Sequence, residues 1–131
     1  MNDYITNQSN QFEGKIVIVT GSTQGSGAET AKLFAARGAK AITICGRQEN
    51  KGIQIKKEIE ELGSKCLYVK ADLSKVEDCK KIVQLTDQEF GTVHSLVNVA
   101  GYTERGTVLS TTIENYDNNF NVNARAPFIL T

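Results

Sequence analysis

The stretch Lys15-Ile-Val-Ile-Val-Thr-Gly21-Ser-Thr-Gln-Gly25-Ser-Gly27-Ala28 constrains this chain more than any other, because an apolar run passes without a break into three closely spaced glycines. The run reads as a strand buried on both faces. Glycines at its end let the backbone turn sharply, approach a ligand closely and seat the next helix tightly on the sheet. The free N–H groups of that helix's first turn, with the positive end of its dipole, then face an anion. A phosphate cradle is therefore expected over Gly21, Ser22, Thr23, Gln24, Gly25, Ser26 and Gly27.

A chain of 131 residues has room for one domain and one core. The polar residues Met1 to Glu13 are expected to form a flexible N-terminal arm, with a nucleotide-binding domain over residues 14–131. Lys+Arg and Asp+Glu balance at 15 each without a basic block, which argues against nucleic-acid or membrane-surface partners. No apolar h-region and no membrane-length apolar run occurs, so a cytoplasmic location is expected. Cys45, Cys66 and Cys79 lack disulfide-framework or zinc spacing and read as small buried hydrophobes, with no metal site. His94, the only histidine, begins an apolar strand and reads as structural or surface-exposed.

Turn signals divide the chain into four strand-plus-helix units. Strands are expected at Lys15–Thr20, Ala41–Cys45, Cys66–Lys70 and Ser95–Asn98. The first helix turns Ala28, Ala31, Phe34 and Ala35 inward and ends at Gly38; the second buries Ile55, Ile59 and Leu62 and stops at Gly63. The third opens with the capping box Ser74-x-x-Glu77 and buries Val76, Cys79, Val83 and Phe90. The fourth opens near Thr111-x-x-Glu114 and carries Ile113, Tyr116, Phe120 and Asn123 on one side, with Pro127 interrupting regular bonding near Asn123. This alternation predicts a doubly wound α/β fold, a parallel sheet between two helical layers with right-handed crossovers.

The glycine spacing differs from the common dinucleotide fingerprint and from the P-loop, since no Lys follows Gly27. It resembles the turn T-G-x-x-x-G-x-G of the short-chain dehydrogenase/reductase family, matched by Thr20, Gly21, Gly25 and Gly27. Three further segments agree in the family's order. Asp72-Leu73 follows the third strand, where the family places an Asp contacting adenine. Asn98-Val-Ala100-Gly101 stands at the family's N-N-A-G element, with Val99 in place of the second Asn. Val122-Asn123 resembles its V-N segment. The resemblance implies a Rossmann-type fold with strand order 3-2-1-4, and for Asn123 the part of holding a water in a proton relay.

At the end of the second strand, where an acidic residue would favour NAD, the chain has Gly46-Arg47. A guanidinium suits a 2′-phosphate, so NADP is the expected cofactor, with NAD possible. The family's Ser and Tyr-x-x-x-Lys lie beyond the V-N element, and none of Tyr4, Tyr68, Tyr102 or Tyr116 has Lys four residues later. The chain thus reads as the cofactor-binding half of an oxidoreductase that moves hydride between NADP(H) and a small carbonyl or secondary alcohol, with the parent expected to be a homo-oligomer. A natural end at Thr131 is not expected, since it interrupts the apolar run Phe128-Ile-Leu130. Two other readings stay open: a non-catalytic dinucleotide-binding or redox-sensing module, and an interaction protein that pairs through the open edge of its sheet.

Overall fold

A computed structural model describes residues 9–131. Four strands, β1 (Ile16–Val19), β2 (Ala41–Gly46), β3 (Lys65–Lys70) and β4 (Ser95–Val97), alternate with helices α1 (Gly25–Ala36), α2 (Glu49–Glu61), α3 (Val76–Phe90) and α4 (Ile113–Phe120). A five-residue π turn, Asn121–Arg125, then leads into the short α5 (Ala126–Leu130). The strands form one parallel sheet in the order β3-β2-β1-β4, as expected. Val19 lies opposite Ile44 on one side and Val97 on the other, which brings the ends of three strands to one level.

Every residue of β1 is buried, so its successive side chains supply both faces of the sheet. Val17 and Val19 join Ile42, Ile44 and Ile59 in a core beneath α1 and α2. Ile18 joins Cys45, Val69, Cys79 and Ile82 in a second core against α3 and α5. The result is three layers, with helices on both sides. Each fully buried Ile contributes about 1.5–3 kcal/mol over an exposed one, so packing rather than helix propensity sets where the strand ends come. Thr43, polar in an otherwise apolar strand, is satisfied by the Thr86 hydroxyl at 2.8 Å.

Helix ends follow local chemistry. Gly38 takes φ +91° after α1, and Ala39 N–H closes back on Phe34 C=O at 3.1 Å. Gly63 ends α2 with φ +105°. The three thiols are free and buried. Burial pushes Cys45 up to about 11 and Cys66 to about 12. His94 is structural: its Nδ1 accepts the Ile16 N–H at 3.0 Å, which anchors β4 to β1.

Four expectations need correction. The capping box at Ser74 is not formed. Lys75 is the N-cap of α3, and the Ser74 hydroxyl instead donates to Asp72 two residues back. The buried stripe of α3 runs through Cys79, Ile82 and Thr86, with Val76, Val83 and Phe90 only half-buried. Helix α4 is capped by Thr112, not Thr111, and its apolar side is exposed: Ile113 is 77% exposed, and Tyr116 and Phe120 are each 55% exposed. The arm expected to be flexible lies outside the described residues up to residue 8, but the stretch from Asn10 is tied down. Phe12 packs against Phe34 with ring centroids 4.6 Å apart and the rings tilted by 49°, and Glu13 bridges to Ala39. The interruption expected from Pro127 takes the form of the π turn, in which Ala126 N–H reaches back to Asn121 C=O.

Candidate nucleotide-binding site

The C-terminal ends of the strands open into a cleft of about 490 Å³, where open α/β sheets bind their ligands. Two buried hydroxyls shape its floor. Thr20 Oγ1 accepts the N–H groups of Val99 at 3.1 Å and Ala100 at 3.2 Å, fastening the segment after β4 to the end of β1. Ser22 Oγ donates to Val19 C=O at 2.6 Å and accepts Cys45 N–H at 3.0 Å, fastening β1 to β2. Ser22 is therefore buried behind the cleft wall rather than on it.

The three glycines have different reasons to be glycine. At Gly21, φ is +59° and a Cβ would come within 2.8 Å of Ala100 Cα. A Cβ on Gly27 would overlap the Gly21 carbonyl. Gly25 also has positive φ, +57°, but faces open space on the cleft side. Helix α1 makes its first backbone bond from Ala28 N–H to Gln24 C=O at 3.3 Å and Ser22 N–H is taken by Cys45 C=O at 3.2 Å, which leaves the N–H groups of Gly25, Ser26 and Gly27 for an anion. Thr23, Gln24 and Ser26 line the cleft with them.

At the end of β2, just before Arg47, Gly46 C=O accepts the Tyr68 hydroxyl at 2.8 Å and the Ala71 N–H at 3.2 Å. Arg47 is exposed and lines the cleft. So does Lys51, in the first turn of α2, whose Nζ donates to Gln24 Oε1 at 2.6 Å. Sequence reasoning overlooked this second cation, although its position four residues after Arg47 was a usable signal. Asp72 and Leu73 form the opposite lip. Asp72 Oδ1 accepts the Ser74 N–H at 2.9 Å and hydroxyl at 2.7 Å, while Asp78 accepts the Asp72 N–H at 2.8 Å. Burial pulls the Asp72 carboxyl up, but the two Ser74 bonds and the charges of Arg47 and Lys75 outweigh it and hold it below the usual carboxylate range.

The far wall comprises Val99, Ala100, Gly101, Tyr102, Asn118 and Val122. Asn98 is exposed and lies off this wall. Asn123 is exposed too, on the π turn, and its amide brackets one residue: Oδ1 accepts Tyr102 N–H at 2.8 Å and Nδ2 donates to Tyr102 C=O at 2.7 Å. The Tyr102 hydroxyl donates to Glu104 at 2.7 Å, and that bond holds the phenol above its usual range. From the same turn, Arg125 donates to Ser74 C=O behind the Asp72 lip. Among the described residues there is no His/Cys/Asp/Glu group suited to a metal, and no helix is long and apolar enough to cross a membrane.

A glycine turn under a cleft at the strand ends defines an α/β nucleotide-binding domain. Residues 15–131 match the short chain dehydrogenase family, and the chain belongs to it. It is 36% identical over 120 residues to an uncharacterized oxidoreductase of Thermotoga maritima, covering 92% of this chain and 47% of the relative. A short chain dehydrogenase of Burkholderia cenocepacia, solved in complex with NADP, superposes with a TM-score of 0.88 at 31% identity over 92% of this chain and 49% of that one. L-sorbose reductase of Gluconobacter frateurii, solved with NADPH and L-sorbose, gives 0.86 at 28% identity over 91% and 45%. The chain thus spans about half the length of these relatives.

Proposed function

We propose that this chain is the cofactor-binding half of a cytoplasmic NADP-dependent oxidoreductase that transfers hydride between NADP(H) and a small carbonyl or secondary alcohol. The observation that carries the reading is the Arg47 guanidinium, exposed and lining the cleft at the end of β2. It has no carboxylate within 4.0 Å among the described residues. A cation there favours a ribose 2′-phosphate, whereas a carboxylate would favour the free hydroxyl of NAD.

The rest of the cleft fits a dinucleotide. The open space before Gly25 and the free N–H groups of the turn suit a pyrophosphate, and the Asp72–Leu73 lip suits an adenine edge. When bound, the nicotinamide would supply or take the hydride. Thr20 and Gly21 would hold the Ala100–Gly101 wall in place, and Asn123 would orient it through the Tyr102 peptide. Pro127 has no N–H for the Asn123 carbonyl, which supports a place for that turn in holding a relay water. Three free thiols agree with a reducing compartment. The exposed stripe on α4 supports a homo-oligomer in the full-length parent.

The test is a fluorescence titration of residues 1–131 with NADPH and NADH, expected to show tighter binding of NADPH. Equal affinities refute the cofactor reading. Joining the chain to a C-terminal half that carries Ser and Tyr-x-x-x-Lys should then yield oxidation of NADPH with ketones or aldehydes, and turnover by residues 1–131 alone would contradict the division of labour.

A further inference from the structure

Lys51 sits in the first turn of α2, where a positive charge works against the helix dipole. Its own helix gains nothing from it. No carboxylate lies within 4.0 Å of it among the described residues, and its side chain is exposed. The ammonium is nonetheless held in one place by Gln24 Oε1 at 2.6 Å, across the mouth of the cleft. Gln24 directly precedes Gly25 in the glycine turn, and both partners line the cleft with Arg47.

We propose that Lys51, tethered by Gln24, is a specificity-determining residue that reads the ribose phosphomonoester of NADP together with Arg47; this rests on the cofactor reading above. An ammonium has three N–H donors, and Gln24 engages one, which leaves two for a phosphate. The neutral Gln24 then has a definite task. A base at that position would repel Lys51, whereas an amide oxygen accepts its hydrogen bond and fixes a side chain that would otherwise sample many rotamers. Arg47 offers a planar fork and Lys51 a point charge, and a dianionic phosphate has oxygens enough for both.

The experiment titrates the parent, Lys51→Gln, Lys51→Arg, Gln24→Ala and Arg47→Ala with NADPH and with NADH, after circular dichroism has shown equal helix content. Lys51→Gln is expected to weaken NADPH about tenfold and leave NADH within about twofold, with Lys51→Arg restoring most of the loss. Gln24→Ala should show a smaller loss, also confined to NADPH. If Arg47→Ala loses NADPH affinity and Lys51→Gln does not, the inference fails and the cofactor reading stands. Equal losses for both cofactors would reduce Lys51 to a latch on the glycine loop and also overturn it. A parent that binds NADPH and NADH alike overturns both.

Discussion

Replacing Thr20 by Val should detach the two halves of the cleft from each other. Thr20 is 1% exposed, and Val nearly matches its volume, so no cavity forms. What is lost is one oxygen that accepts two backbone N–H groups, those of Val99 at 3.1 Å and Ala100 at 3.2 Å. An unsatisfied buried donor costs about 1–3 kcal/mol. Both donors are half-buried, which places each in the lower half of that range and the sum at about 2–4 kcal/mol. With a urea slope of about 2 kcal/mol per molar, the unfolding midpoint should fall by about 1–2 M. Thr20→Ser keeps the oxygen and loses only a methyl, so its cost should stay near about 1 kcal/mol. Urea unfolding read by circular dichroism gives the global number, and amide hydrogen exchange gives the local one. The Val99 and Ala100 amides should lose protection in Thr20→Val and keep it in Thr20→Ser. A Thr20→Val protein with the parent's midpoint and unchanged protection at both amides would refute the reasoning.

Gly27→Ala should destabilise the chain by more than about 2 kcal/mol because its Cβ meets the Gly21 carbonyl, while Gly25→Ala should cost only about 1 kcal/mol for the positive φ yet weaken NADPH binding. Thermal melts and titrations distinguish them, and equal melting temperatures would contradict the packing argument. The Asp72 carboxylate is held low in the fold, so its contribution is present at neutral pH and is lost as pH falls through the folded value. Asp72→Asn should therefore cost about 1 kcal/mol near neutrality, and the difference should vanish in acid; a pH-independent difference would argue against it. Cys45 and Cys66 are raised to about 11 and 12, so burying them as thiols stabilises the fold fully below the ordinary value of 9.0, and this is lost as pH climbs through 11 to 12. A thiol reagent at pH 8 should label them only on unfolding, and rapid labelling of the native chain would contradict their burial.

The glycine cradle was legible because its cause is local: a buried strand, a turn with positive φ and a helix start follow one another within fifteen residues. The sheet order was legible from the alternation together with the family's segments. What stayed hidden depends on partners far away in sequence. Gly21 is glycine partly because Ala100 lies against it, and no local pattern announces a contact across 79 residues. The stripe Ile113, Tyr116 and Phe120 shows that α4 has an apolar side, but periodicity says nothing about what covers that side, and here it faces outward. At Ser74, two local motifs compete for one hydroxyl, and the Asp72 carboxylate two residues back wins over the start of α3. Lys51 stayed hidden in the sequence because its charge reaches the cleft only through the first turn of the following helix and its bond to Gln24, 27 residues away.

The π turn makes the cleft width a matter of counting residues. Asn123 grips the Tyr102 peptide on the far wall, and Arg125, two positions on, grips Ser74 behind the near lip. Side chains two apart on a helix point in nearly opposite directions, so one short turn holds both jaws. The turn contains one residue more than an α turn would. Removing it would swing Arg125 by about 100° and release the near jaw while the far one stayed gripped. The spacing between the jaws therefore changes in whole-residue steps, as on a caliper with a notched scale.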